Sequence, residues 1–395
     1  MPGKTHSASV QPIGRVSTPA NASAPRDLYY IDRLRSVMTA LVLLHHTAIT
    51  YGAPGGWFWY ELHPSGSPAS LLLTLFVSTN QAYFMGFFFL LAGYFTPASL
   101  ERKGYGRFLG DRFLRLGLPL LAFIIILAPL TVGIANAGDG KGFWTAINYL
   151  WVNKRIINGP LWFAQALLLF TLGYCAWRAV AGRPLADTTR EARPVPRLVW
   201  WLVSALAVGA ANVGVRQFVP VGENVFGLQL AYFPSYIFLF AIGIYAWRHD
   251  WLQRLEWKQA RIFVIGLLAT WSAMPVAIAL VHASHERANF AGGLSWPALV
   301  YAFWDPFVAW GLIAAWLLVF RATMNRPSGF WSWLNRRAYA VYILHPPVLV
   351  ALGLLLHPWS APALVKFATT GTLTCIATWL AADVAVRMPG VRHVI

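Results

Sequence analysis

Apolar and polar positions alternate along the chain in long blocks. Predominantly apolar runs lie near 34–52, 70–98, 113–135, 160–179, 197–215, 230–247, 261–281, 296–320, 337–356 and 362–386. Each is long enough for a helix to cross roughly 30 Å of hydrocarbon. The pattern predicts an all-α, polytopic integral membrane protein of about ten transmembrane helices, arranged as one membrane domain over 29–395. The first 28 residues are rich in Ser, Ala, Pro and Thr without an apolar run. They read as a disordered cytoplasmic tail, and lack the short apolar stretch and small-residue cleavage site of a signal peptide.

Composition agrees with the blocks. The 395 residues are 57% hydrophobic and 11% charged, against about a quarter charged in soluble domains. The net charge of +17 raises nucleic acid as a partner, but its distribution excludes it. With the N-terminus placed inside, 25 of the 31 Lys and Arg fall in alternate, inside segments; only Lys141, Lys154, Arg155, Arg216, Arg287 and Lys366 fall outside. That is the positive-inside pattern, and it predicts that both termini are cytoplasmic. Many of the 20 Trp and 15 Tyr sit near span ends, as in "GGWFWYELH", fitting interfacial aromatic belts. Cys175 and Cys375 both lie in apolar runs and read as core residues, with no disulfide framework.

The first run opens with charges and ends with two histidines: "IDRLRSVMTALVLLHH". On a helix, the eleven steps from Arg35 to His46 leave them only about 20° apart and roughly 16 Å apart along the axis. Asp32, Thr39 and Thr50 lie within about 60° of that line, while His45 points about 80° away. A polar stripe therefore runs from the membrane edge to its middle. An imidazole there is a general base near neutral pH or a satisfied interhelical histidine. Arg35, with five donors, suits an anionic group such as phosphate.

Several stretches together resemble the membrane acyltransferase-3 family. "IDRLR" followed by His46 resembles its first-helix signature. "FFFLLAGYF" (87–95) resembles its Phe-rich Ser-Gly segment, with Ala92 where serine is usual. "RFLGDRFLRLGLP" (107–119) resembles the Arg-rich approach to the third helix, and "GPLWFAQALL" (159–168) the Leu-Trp-Phe segment. "NRRAYAVYILHPPVL" (335–349) resembles the late Ser-Tyr-x-x-Tyr-x-x-His-x-Pro segment, with Ala338 in place of serine. "YYIDRLR" and "YILHPPV" resemble most the glucan biosynthesis protein C branch, which is thought to succinylate periplasmic glucans. The resemblance implies a bacterial inner-membrane enzyme that moves an acetyl or succinyl group from cytoplasmic acyl-CoA to a sugar hydroxyl at the outer face, with no permanently bound cofactor. It implies His46 as base or acyl carrier assisted by Arg35 and Asp32, with CoA phosphates met by Arg35, Arg107, Arg112 and Arg115.

Other residues carry paired readings. Arg112 and Arg115 share a helix face and are phosphate ligands or ordinary positive-inside anchors. His345 lies about 12 Å inside Arg337; it lines the His46 cavity or satisfies backbone loosened by Pro346 and Pro347. Asp305 in "FWDPF" is an acceptor-site base, a proton relay or a helix cap. Asn80 and Gln81 bind the acceptor or join helices, and Trp162 stacks a sugar or sits at the interface. "HASHER" (282–287) matches neither zinc-protease motif, and no metal site is expected. Two competing functions use the same features. A secondary transporter or flippase would use the stripe as a substrate or proton site, but would carry internal repeats; a membrane scaffold needs no stripe.

Overall fold

The structure, a computed structural model, describes residues 28–182, 193–284 and 289–394. The described residues are helical, with only isolated bridges between Tyr51 and Leu62 and between Val225 and Leu228. In chain order the helices are α1 (Tyr29–Thr50), α2 (Pro68–Arg112), α3 (Leu118–Ala122), α4 (Ala128–Gly138), α5 (Phe143–Val152), α6 (Trp162–Val180) and α7 (Leu198–Arg216). They continue with α8 (Phe233–Arg248), α9 (Trp251–Arg254), α10 (Trp257–Ser284), α11 (Trp296–Thr323), α12 (Gly329–Leu356), α13 (Ala363–Ala385) and α14 (Val391–Val394). Ser67 caps α2 by accepting from the Ser70 amide, and prolines sit in the first turn of α2, α8 and α11, where a missing N–H is tolerated.

Among the described residues, eight helical runs are long and apolar enough to cross a membrane. One of them, Pro68–Gly138, is 71 residues long and contains both runs read near 70–98 and 113–135. Gly104 breaks it with φ 71° and ψ 168°, a backbone that a side chain would strain. Beyond Arg112 the run widens through two π-helical turns, Phe113–Gly117 and Phe123–Leu127. The first helix is not one of the eight, because Asp32, Arg33, Arg35 and two histidines lower its hydropathy. It lies instead inside the bundle, packed on α2, α11, α12 and α13, with Leu34, Met38, Val42 and Leu43 buried. Helices outside it take the lipid: α10 and α7 expose Ile265, Leu268, Val203 and Leu206. With these helices the chain is a multi-pass membrane protein.

The tightest helix pair is α2 against α8. A Cβ on Gly93 would fall on the Phe240 carbonyl oxygen, and one on Gly243 would fall on the Leu90 carbonyl. Small residues drive such pairs in membranes because lipid tails supply no apolar driving force between helices. This contact holds the wall on which Gln81 and Tyr236 meet, at 3.1 Å.

Candidate active site

His46 sits near the end of α1, and His345 near the middle of α12. The Nδ1 of His46 and the Nε2 of His345 are 3.0 Å apart, with the rings nearly parallel at 14°. The Nδ1 of His345 lies 2.8 Å from the Tyr342 carbonyl. A carbonyl only accepts, so this contact puts the proton on His345 Nδ1. With both rings neutral, His345 Nε2 then carries a lone pair and accepts from His46 Nδ1–H. His46 Nε2 is left as the unprotonated nitrogen. The Tyr342 carbonyl is available because in an α-helix it would receive the amide of residue 346, and Pro346 has none. The two readings of His345 thus meet: it satisfies backbone freed by proline, and in doing so fixes the tautomer of His46.

The connection between α1 and α2 closes over this pair. Trp57 stacks on His46, with centroids 4.1 Å apart and planes 13° apart, and lies parallel to His345 at 5.8 Å. Glu61 and Leu62 amides donate to the Thr50 carbonyl at 2.9 and 3.2 Å, and Ser70 Oγ donates to the Gly52 carbonyl at 2.6 Å. Buried Lys366 pairs with Glu61 and also donates to the His357 carbonyl at 3.0 Å. These bonds tie the connection to α13 and hold the indole in place.

A cavity of about 1300 Å³ opens beside the pair. His45 and His46 both line it, as do Trp57, Gln81, Trp162, Tyr232, Tyr301 and Tyr342. Its rim comes from the connections after α1, α5 and α7, at the opposite end of α1 from Arg35. His45 stacks on Phe84, with centroids 5.0 Å apart, so its different helical azimuth does not remove it from the site.

At the other end of α1, Arg35 is half-exposed and pairs with Asp32 at 3.9 Å. Arg112 lies near enough to Arg115 and Arg35 to feel both charges, and its guanidinium stacks over Phe108 at 5.1 Å. Arg107 and Arg115 are exposed. Arg35, Arg112 and Arg115 therefore form one basic rim, with Asp32 as counter-charge to Arg35 and Asp111, paired with Lys103, beside Arg112 and Arg115. The hydroxyls of the stripe turn back on their own helix: Thr39 donates to the Arg35 carbonyl at 2.9 Å and Thr50 to the His46 carbonyl at 3.1 Å.

The remaining candidates separate. Gln81 and Trp162 line the cavity, and Trp162 stacks on Tyr236 at 5.6 Å. Asn80 is buried away from the cavity, its Nδ2 without a partner. Asp305 is fully buried and paired with Arg216. Cys175 is buried and Cys375 half-buried. The side chains of His282, His285 and Glu286 lie outside the described residues, as does the tail. Sequence reasoning passed over Trp57 and Arg216. Trp57 is one of 20 tryptophans, and Arg216 reads only as an outside cation; a basic residue closing an apolar run was the one available signal.

The acyltransferase-3 family model, described as an acyltransferase domain, matches residues 28–383. Three similar proteins are all called glucans biosynthesis protein C. The one from Salmonella gallinarum is 20% identical over 370 residues, that from Salmonella paratyphi B over 369, and that from Salmonella paratyphi A over 372. Each alignment covers 88% of this chain and 88% of the relative. No solved structure matches the chain.

Proposed function

Since the chain belongs to the acyltransferase-3 family, we propose that it moves a short acyl group from acyl-CoA, held at the Arg35 end, to a hydroxyl of a glycan held in the cavity at the His46 end. The observation that carries this reading is the His46–His345 pair, with its free Nε2 at a large cavity. His46 Nε2 takes the proton of the acceptor hydroxyl as that oxygen attacks the thioester carbon. The tetrahedral intermediate collapses, the C–S bond breaks, and His46 returns the proton to the leaving CoA thiolate. The products are a glycan ester and free CoA. His345 Nε2 accepts from His46 Nδ1–H throughout, steadying the imidazolium while it exists, as a carboxylate does in hydrolase triads.

The basic rim supports the donor side. Arg35, Arg112 and Arg115 offer forked donors of the kind that grip phosphates, and an anionic CoA would gather there. The charge asymmetry supports ten crossings with both termini cytoplasmic, so that the rim faces the cytoplasm of a bacterial inner membrane and the cavity faces outward. The ten are α1, the two halves of Pro68–Gly138 on either side of Gly104, and α6, α7, α8, α10, α11, α12 and α13. The relatives' name supports a glucan as acceptor. The acyl group is acetyl or succinyl.

Mass spectrometry of surface and periplasmic glycans tests the proposal. Three strains are compared: wild type, a deletion, and the deletion complemented with His46→Ala. An acyl-sized mass lost in the deletion and still missing with His46→Ala is expected. Glycan masses identical in all three would refute it.

A further inference from the structure

The wall of the cavity carries a second polar constellation. Arg216 ends α7 and Asp305 lies within α11 just before Pro306; the two are ion-paired and almost wholly enclosed, at 1% and 2% side-chain exposure. Arg216 Nε also donates to the Ala231 carbonyl at 3.2 Å. Its guanidinium carbon lies 4.9 Å from the Tyr301 ring centre and 5.3 Å from that of Tyr232. The two phenol oxygens are 3.1 Å apart, and both tyrosines line the cavity that His46 lines.

Charges enclosed in a membrane bundle are costly, and apolar packing of the same volume is often as stable or more so. Here the ion pair does something apolar packing would not. One cation lies against two phenol rings and fixes them side by side. Between two hydroxyls, one donates and the other accepts, so the pair keeps one unused proton and unused lone pairs. A donor and an acceptor held about 3 Å apart match the neighbouring hydroxyls of a sugar ring. Gln81 adds an acceptor on the same wall, since its Nε2 is committed to the Tyr236 oxygen and its carbonyl oxygen is not. Trp57 and Trp162 supply aromatic faces. Among the described residues lining the cavity, Arg155 is the only Lys or Arg and there is no carboxylate, so a cationic ligand meets no counter-charge from them.

We propose that Tyr232 and Tyr301, held by the Arg216–Asp305 pair, form the subsite that grips a neutral hexose unit of the acceptor. This rests on the acyltransferase reading of the same cavity. The tyrosines touch the sugar; Arg216 and Asp305 are positioning residues.

Binding, measured apart from turnover, tests it. The full chain carrying His46→Ala is placed in lipid nanodiscs and titrated calorimetrically with a linear glucose hexamer, then with the hexamer of glucosamine. Tyr232→Phe and Tyr301→Phe are each added to that background, because they remove one oxygen and keep the ring against Arg216. The expected result is binding of the neutral hexamer, weaker binding of the cationic one, and about three- to tenfold loss of affinity in each Phe variant, with the melting temperature unmoved. Unchanged affinity in both variants, or no binding of the neutral hexamer, overturns the subsite. A wild type that transfers acyl groups while both variants bind as the parent does sinks the subsite alone. A wild type that transfers nothing, while both variants weaken binding, keeps the subsite and sinks the catalytic reading.

Discussion

Two buried polar pairs on different helices lie beside the same cavity, and they are built on opposite principles. His46 and His345 are linked by a neutral hydrogen bond at 3.0 Å, one ring fully buried and the other partly open to the cavity. Arg216 and Asp305 are charged and closed off behind tyrosines. The first pair keeps one nitrogen uncommitted, and an uncommitted nitrogen is free to take a proton. The second makes its strongest contact inward, yet Arg216 Nη1 and Asp305 Oδ1 have no protein partner, so its integrity depends on both charges being present. A polar group in a membrane bundle therefore has two distinct uses, and they separate under mutation.

The largest expected effect is on rate. His46→Ala should lower acyl transfer by roughly 10²–10⁴-fold with little change in melting temperature, measured on purified protein with acyl-CoA and acceptor. An equal loss of stability would merge the two pairs into one structural class. Arg216→Met should act first on stability, and on transfer only through the acceptor KM. Asp305 is left as an unpaired buried charge, costing about 3–5 kcal/mol in chemical or thermal unfolding in detergent, while Arg216→Met with Asp305→Leu should recover most of that loss. His345→Phe should come next, lowering kcat by about 10- to 100-fold with acyl-donor KM unchanged, since it frees the His46 tautomer without removing the base. Pro346→Ala is the smallest and sharpest change. It returns an amide to the Tyr342 carbonyl and competes with His345 Nδ1–H. A modest fall in kcat of about two- to fivefold, with stability equal or higher, is expected from matched kinetic and melting measurements.

The helices and the polar stripe of α1 were readable in the sequence because both are local. Hydropathy over about 20 residues marks a crossing, and the turn angle alone puts Arg35 and His46 on one face. The two π-helical turns beyond Arg112 left no such trace, because the hydrogen-bond partner of each amide is not written in hydropathy. The His46–His345 contact joins residues 299 apart, and Arg216–Asp305 joins residues 89 apart; each depends on which helices pack. His345 and Asp305 were visible as unusual residues in apolar runs, but their partners were not. Trp57 was hidden for a different reason: a stacking role depends on the fold of a 17-residue connection, and its residue type is common in this chain. His45 shows the limit of azimuth arguments, since a wide cavity is lined by side chains well away from one helix stripe.

The most direct test of the central claim, that His46 performs transfer across the membrane, is a sided assay. Purified protein is reconstituted into vesicles, and those with the Arg35 rim facing inward are isolated. Labelled acyl-CoA is sealed inside, and a neutral glucan is added outside. The account predicts labelled glucan outside for wild type and none above background for His46→Ala. Labelled glucan formed by His46→Ala at the wild-type rate would contradict it.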